Sequence, residues 1–338
     1  MKTILQVSAI TLALVAGQVL AQAGELYDAD VTEETSINDP AKAVKKADGQ
    51  WLAFSIPVLE GTHSPCCWKG KWNNMGEVGC SLADTHQSYG TRSDSPLAEN
   101  VIVFSKIKKG EVQSMRTVGE SCPLAGEGAS VTWIGNVDEK AGLDWLESVA
   151  GSDDSALYAL ALHRSSDVNK RLFTMAMEES AELSEQAIFW LGEARGETGL
   201  ITLKRLLKAL PVGDSRRHIN FAVSQNNAPG AVDLLLQISV FDQDSEQRSD
   251  ALFWLAQEYP ERAKIILLET VSNEQDEDVL EQAVFAISQL PGESGSKMLL
   301  DLASNSQTPR VVRRQALFWL ANSDDDKTIA ALAELLSR

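Results

Sequence analysis

The chain is poor in basic residues, with 30 Lys and Arg against 48 Asp and Glu in 338 residues and a formal net charge of −18. A surface of this sign repels the phosphate backbones of nucleic acids. The composition is neither disordered nor collagen-like, and the length suits two domains of ordinary size. We therefore expect a globular protein that has no nucleic-acid partner.

Long apolar runs are also scarce. Residues 1–23, MKTILQVSAITLALVAGQVLAQA, carry one lysine before an apolar stretch and end in a small-x-small pattern that signal peptidase recognises. No later segment has the roughly eighteen consecutive apolar residues of a membrane helix, so we expect no membrane span after signal removal. The sequence predicts a signal peptide, cleavage after Ala23, and a periplasmic or secreted protein.

Cysteine is rare, and the four cysteines all lie in the first half of the chain, at Cys66, Cys67, Cys80 and Cys122. An even number of cysteines in an exported chain favours disulfides. A bond between the adjacent Cys66 and Cys67 would strain the chain. We therefore expect each of these two to pair with either Cys80 or Cys122, and the sequence leaves both arrangements open.

A metal or redox site is the alternative for the same region, with His63, Cys66, Cys67 and Cys80 as candidate ligands and His86 as a further one. The Cys-x-x-Cys spacing of familiar zinc and thioredoxin-like sites is absent. We expect no metal, no cofactor and no catalytic residues, although the sequence does not rule out an enzyme.

Apolar residues between positions 50 and 136 come in short runs such as WLAFSIPVL and NVIVFSKI, which are typical of strands. Gly110 can supply the positive φ of a tight hairpin. The sequence predicts a small β-rich, cysteine-containing domain at residues 50–136, after a polar tail or linker at residues 24–49. Trp68 and Trp72 lie in the cysteine loop and are candidate binding residues.

A regular internal repeat organises the rest of the chain. Phenylalanine recurs once in each repeat, at Phe189, Phe221, Phe253, Phe285 and Phe318, and a second apolar segment follows each of them. A helix pair of this size cannot bury its apolar faces alone, so neighbouring pairs must stack. The sequence predicts an α-solenoid of five to six helix pairs at residues 137–338.

These pairs, with an Ala-x-Phe-x-Leu core in the first helix and a leucine-rich second helix, resemble the HEAT-like repeats first described in phycobilisome lyases. The segments HSPCCWKG, GCSL and ESCPL ahead of such repeats resemble those of secreted bacterial proteins that contain HEAT repeats. The resemblance implies an α+β multidomain chain, a small β-rich domain followed by an all-α HEAT-like solenoid.

The residue after each repeat phenylalanine alternates between large and small: Trp190, Ala222, Trp254, Ala286 and Trp319. One interpretation is packing, in which the alternation keeps the volume between neighbouring helices constant. The other is a surface row in which Trp190, Trp254 and Trp319 bind a partner, because tryptophan is favoured at interface anchors. The sequence does not decide between a buried and an exposed row.

The sequence favours an exported, non-catalytic scaffold that binds a protein partner in the periplasm or extracellular space through its second helices. The alternatives are a metal-binding or redox protein centred on the cysteine loop and a lyase-like HEAT-repeat enzyme. A deoxyhypusine hydroxylase is not indicated, because the repeated His-Glu pairs that hold iron in that family are absent from this sequence.

Overall fold

The computed structural model of the chain describes residues 24–68, 79–84, 88–90, 94–178 and 180–337. The predicted signal peptide, Trp72 and His86 lie outside the described residues. The chain divides into two compact units that meet at the Val168–Asn169 bond. Within the described part, no helix combines the length and the apolar character needed to cross a membrane.

The first unit contains eight described strands: β1 Leu26–Glu33, β2 Trp51–Pro57, β3 Cys66–Trp68, β4 Cys80–Ser81, β5 Ser88–Gly90, β6 Asn100–Lys108, β7 Glu111–Gly119 and β8 Leu124–Asn136. Six of them form one mixed sheet in the order β1-β8-β2-β6-β7, with β4 pairing against the start of β8. β8 runs parallel to β1, β2 and β4, whereas β2, β6 and β7 pair antiparallel. β3 and β5 form a separate antiparallel pair.

β2 is buried along most of its length because it lies between β8 and β6, which explains its continuous apolar sequence. The β6–β7 hairpin turns at Lys109 and Gly110, whose φ angles are 57° and 78°. Two consecutive positive φ values define a type I′ turn, the connection that suits the twist of a hairpin. The predicted hairpin at Gly110 is therefore confirmed.

Residues 24–49, expected to be a polar tail or linker, instead contribute β1 and a short helix, α1, at Pro40–Ala43. β1 is an edge strand whose side chains are mostly exposed, and it is held by parallel backbone pairing with β8. Polar side chains are compatible with such a strand, because its pairing uses main-chain groups. The polar composition of the segment therefore gave a misleading indication of its structure.

Two helices after β8, α2 at Glu139–Val149 and α3 at Asp154–Leu162, belong to the first unit. Trp145 of α2 packs edge-on against Phe54 of β2, with ring centroids 5.4 Å apart. Asp153, which caps α3, accepts a hydrogen bond of 3.0 Å from the backbone N–H of Met115 in β7. The last strand ends at Asn136, which is also the end of the predicted β-rich domain. The compact unit nevertheless extends to Val168, because α2 and α3 pack on its sheet.

The second unit consists of helices. After α4 (Asp167–Glu178), which spans the division between the units, five helix pairs follow: α5 Ala181–Glu193 with α6 Gly196–Ala209, α7 Asp214–Ser224 with α8 Ala231–Phe241, α9 Ser245–Glu258 with α10 Pro260–Asn273, α11 Glu277–Ser288 with α12 Ser294–Ser304, and α13 Arg310–Ala321 with α14 Asp326–Leu336. Pro260 occupies the first turn of α10, as expected for a residue that lacks the backbone N–H. The predicted fold class, a β-rich region followed by a helical solenoid, is confirmed.

The first helices of neighbouring pairs approach closely at Gly192. A Cβ atom built on Gly192 would lie 2.0 Å from the carbonyl oxygen of Ala222, so only glycine fits between α5 and α7. The buried Asn226 side chain donates to the carbonyl oxygens of Gly192 and Gly196, at 2.9 Å each. This amide ties one pair to the next because it satisfies carbonyl groups near the end of α5 and the start of α6.

Ion pairs recur at the repeat interval. Arg216 of α7 pairs with Asp242, and Arg248, one repeat later in the sequence, pairs with Glu274. In each case an arginine on a first helix reaches an acidic residue that directly follows a second helix. Both pairs are largely buried, which makes them geometric links between helices more than sources of net stability.

Candidate functional site

The four cysteines form two disulfides in the structure, Cys66–Cys122 and Cys67–Cys80, with Cα atoms 5.3 and 4.9 Å apart. All four side chains are buried in the apolar core beneath the sheet. The two disulfides are in contact, since the sulfur atoms of Cys80 and Cys122 lie 3.6 Å apart. The pairs join β3 to β4 and to the turn before β8.

The metal alternative uses the same sulfur atoms. Those of Cys66, Cys80 and Cys122 lie within 4.8 Å of one another, a separation that would suit a shared metal ion. A metal needs thiolates, however, and here each sulfur is bonded to another sulfur. The Nδ1 atom of His63 is 2.7 Å from the carbonyl oxygen of Ser95, to which it donates. The described arrangement is therefore that of a cross-linked core.

The candidate binding residues of the cysteine loop cannot be placed. Trp72 and the side chain of Trp68 lie outside the described part of the chain. Their role in binding stays a prediction.

The repeat aromatics form one connected series, which we call the aromatic row: Phe189, Trp190, Phe221, Phe253, Trp254, Phe285, Phe318 and Trp319. Each helix that has the Phe-Trp pair holds the two rings edge to face. Their centroids are 4.8 Å apart in α5, 5.0 Å in α9 and 5.1 Å in α13. This geometry suits the opposed charges of a ring face and a ring edge.

Contacts between helices alternate along the row. Phe221 stacks on Phe189 at 5.9 Å and meets Trp254 on its other side at 4.7 Å. Phe285 repeats this arrangement two helix pairs later, with a phenylalanine at 6.1 Å and a tryptophan at 4.9 Å. The helices with alanine after the phenylalanine, α7 and α11, are thus those whose phenylalanine is contacted from both sides. The structural period is two helix pairs.

The row is neither core nor free surface. Its rings are half-buried, and Phe318 at the last pair is 53% exposed, whereas Leu191, Leu255 and Leu320, two positions beyond their repeat phenylalanines, are fully buried. The packing interpretation accounts for the ring contacts. It does not account for rings that stay partly exposed on five consecutive first helices. Both interpretations therefore describe part of the row.

Two equivalent hollows lie beside the doubly contacted phenylalanines. The first hollow, about 450 Å³ in volume, is lined by Glu185, Asp214, Arg217, His218, Phe221, Asp250 and Trp254. The second hollow, about 470 Å³, is lined by Asp278, Glu281, Gln282, Phe285, Gln315 and Trp319. Corresponding residues of the two hollows are two repeats apart in the sequence.

The first hollow carries charged groups. The Nε2 atom of His218 is 3.0 Å from a carboxylate oxygen of Glu185, and both side chains are about 40% exposed. Arg217 pairs with Asp214 and with Glu246 at the rim. Three carboxylates and one guanidinium line this hollow, so carboxylates are in excess.

Asp250 is the most enclosed acid of the first hollow. Burial raises the pKa of its carboxyl, while hydrogen bonds from Asn220 and Trp254 and the positive charges of Arg217 and His218 oppose the rise. Asp250 and Trp254 are four residues apart on α9, so the acid and the aromatic ring lie on the same face of that helix.

The second hollow has the same kind of aromatic floor as the first, but different polar residues at its rim. Gln282 and Gln315 stand where the first hollow has His218 and Asp250. Asp278 and Glu281 supply two carboxylates, and Glu281 accepts a 2.7 Å hydrogen bond from Arg314. The second hollow is therefore also acidic, although it lacks the histidine.

The tryptophans of the hollows were predictable from the sequence as candidate binding residues, whereas the acids beside them were not among the predicted site residues. Two helical turns before the first four repeat phenylalanines stand Glu182, Asp214, Glu246 and Asp278. Because whole turns of helix separate these positions from the phenylalanines, they lie on the same face. This acidic column, present in the first four repeats, is the signal that could have indicated the hollows.

The second helices, expected to carry the binding surface, also expose apolar side chains. Phe241 of α8 is 76% exposed and Ile265 of α10 is 63% exposed. Lys204 and Lys208 of α6 lie near Phe241 around a smaller cavity. This surface is the competing candidate for contact with a partner.

Fold and site together define a protein with a disulfide-linked sheet unit and a helical repeat solenoid. No protein-family model matches the chain, and no curated protein matches it. Among solved structures it is similar to human deoxyhypusine hydroxylase in complex with glycerol, at 14% identity over 58% of this chain and 94% of that chain, with a TM-score of 0.26. It is also similar to an engineered protein, at 20% identity over 51% of this chain and 86% of that chain, with a TM-score of 0.28. At these values the comparisons carry no inference about activity.

Proposed function

We propose that this protein is an exported scaffold that binds a protein partner through the aromatic row. The observation that carries the proposal is the half-exposed series of rings on five consecutive first helices. Partly exposed Trp and Phe side chains on a rigid surface are typical of interface anchors. The resemblance of the helix pairs to HEAT-like repeats supports the same role, because stacked repeats present extended binding surfaces.

Binding suits the hollows better than catalysis does. His218 and Glu185 could exchange a proton, but both are open to solvent. Enzymes usually place such groups in pockets that exclude water. The metal alternative at the cysteines lacks thiolates, as described above. The scaffold is therefore the function that the geometry supports best.

A photo-crosslinking experiment tests the surface. We would introduce p-benzoylphenylalanine at Phe318, 53% exposed in the row, or at Ile265, 63% exposed on a second helix. We expect one defined partner to be crosslinked from position 318 and not from position 265, in cells that export the protein. Crosslinking from position 265 alone would instead favour the second-helix surface and contradict the proposal.

Export has its own test. Mass spectrometry of the chain purified from the periplasmic or extracellular fraction should show an N-terminus at Gly24 and two intact disulfides. A chain that retains Met1 and stays in the cytoplasm with reduced cysteines would refute the export part of the proposal.

A further inference from the structure

We propose that the partner presents a basic segment, and that its Lys or Arg side chains bind in the two acidic hollows against the aromatic floors. This inference rests on the proposed function and specifies the chemistry of the partner. It follows from three features of the hollows: the partly exposed aromatic rings that line them, the excess of carboxylates and the duplication.

The floors are suited to cations. In the first hollow Phe221 and Trp254 meet at 4.7 Å with ring planes 38° apart, and in the second Phe285 and Trp319 meet at 4.9 Å and 43°. The faces of such rings carry negative partial charge and attract ammonium and guanidinium groups. The same pattern of a tilted, half-exposed Phe-Trp pair occurs twice, so it is a property of the repeat.

The rims of both hollows carry carboxylates, whose negative charge would attract a basic ligand. Three carboxylates and one guanidinium line the first hollow, and Arg217 is already paired with Asp214 and Glu246. Two carboxylates line the second, and one of them, Glu281, is paired with Arg314. An anionic ligand would meet repulsion at both hollows, and the chain as a whole carries a net charge of −18.

The aromatic row favours a peptide segment of the partner, and not a single cation, as the ligand of the two hollows. Between the two floors lies Phe253, which contacts Trp254 of the first floor and Phe285 of the second. Two basic side chains with apolar residues between them would therefore contact acid, aromatic and acid again. Linking the two weak contacts in one segment raises the overall affinity without any new contact at either hollow.

The hollows are not identical, and the difference predicts unequal contributions. Asp250 in the first hollow lies four residues before Trp254 on α9, so its carboxyl is on the same helix face as the ring. Its counterpart in the second hollow is the neutral Gln315. The cation in the first hollow thus gains a carboxylate directly beside the ring.

A peptide titration tests the inference. The probe is a synthetic peptide with two lysines separated by leucine and alanine residues, and its match has glutamate in place of each lysine. Binding to the intact, oxidised protein is measured by calorimetry at low salt. We expect the lysine peptide to bind and the glutamate peptide not to bind. Equal binding of both peptides, or no binding of the lysine peptide, would overturn the inference.

Variants locate the site. Trp254→Leu and Trp319→Leu should each weaken binding about two- to fivefold, the range of a cation–π contact at an exposed site. Asp250→Asn should weaken it, whereas Asp301→Asn, an exposed acid on α12, removes the same charge elsewhere and should have no effect. Equal losses from Asp250→Asn and Asp301→Asn would mean attraction to overall charge alone and would contradict the inference.

The crosslinking experiment separates this inference from the proposed function. A defined partner crosslinked at position 318, together with a lysine peptide that does not bind, would refute the basic segment and leave the scaffold intact. Binding of the lysine peptide weakened by the hollow variants supports the inference. It remains supported even where the partner is captured from another position.

Discussion

The contacts that stabilise the two units join residues at different separations along the sequence. In the sheet unit, β1 at the start of the unit pairs with β8, its last strand, and one disulfide spans 56 residues. In the repeat unit, the same contacts recur between neighbours: Asn226 reaches back 34 residues to Gly192, and Arg216 reaches forward 26 residues to Asp242. A sheet held by distant contacts depends on a few particular links. A solenoid spreads its stability over many equivalent ones.

The largest expected effect is therefore on the sheet unit. Removing the Cys66–Cys122 disulfide by alanine at both positions should lower the free energy of unfolding by roughly 4 kcal/mol, because it releases a long loop in the unfolded chain. Removing Cys67–Cys80, which closes a span of 13 residues, should cost roughly 3 kcal/mol. Urea unfolding followed by hydrogen-exchange mass spectrometry of peptides from β2 and β6, which belong to the sheet unit, would measure both losses.

The repeat unit is the control for that experiment. Its helices contain no cysteine, so the far-ultraviolet helical signal should unfold at the same urea concentration in both variants. A helical transition that shifts as much as the sheet transition would show that the two units do not unfold independently.

A smaller effect is expected where two first helices meet. Gly192→Ala should lower the stability of the repeat unit by about 1–3 kcal/mol, because the added methyl would overlap the Ala222 carbonyl group. We expect this loss even though replacing glycine by alanine inside a helix usually adds roughly 1 kcal/mol of stability. Ser224→Ala, at the equivalent position of α7, adds no atoms and should cost about 1 kcal/mol or less. Thermal unfolding of the two variants gives the comparison, and a stabilised Gly192→Ala variant would show that the helices do not approach as described.

The smallest effect concerns Asp250. Because burial raises its pKa in the folded state, the folded protein holds this proton more tightly than the unfolded chain. The associated stability is fully present below the unfolded pKa and is lost as pH rises through the folded pKa. Asp250→Asn removes this dependence, so the variant should be slightly more stable at pH 7, by roughly 0.5 kcal/mol or less.

Unfolding measured as a function of pH checks the sign. The difference between Asp250→Asn and the unmodified protein should disappear as pH falls below the ordinary value of 3.8 for an aspartate. A variant that is less stable at pH 7 would show that the hydrogen bonds from Asn220 and Trp254 outweigh the cost of burial.

Periodicity made the repeat unit predictable. The regular spacing of the repeat phenylalanines indicated the helix pairs, because every pair uses the same local pattern. The exposure of the row was not predictable. The angular position of Trp254 on its helix shows which residues share its face, but not how much of its ring Phe221 covers.

The sheet unit was predictable only in part. Short apolar runs indicated β2 and β6, and Gly110 indicated the hairpin. β1 was missed because an edge strand is held by its backbone and can be polar. Residue spacing disfavoured a Cys66–Cys67 bond but could not choose between the other two pairings, since that choice depends on how β3 and β4 fold against the start of β8.

The central claim is that the aromatic row is a partly exposed recognition surface, and hydroxyl-radical footprinting with mass spectrometry tests it directly. Trp51, Trp133 and Trp145 of the sheet unit are at most 5% exposed and serve as internal controls. We expect Trp254 and Trp319 to be oxidised much faster than these three in the free protein, and to be protected when the partner binds. Oxidation of the row at the rate of the buried tryptophans, or a partner that leaves it unprotected, would contradict the account.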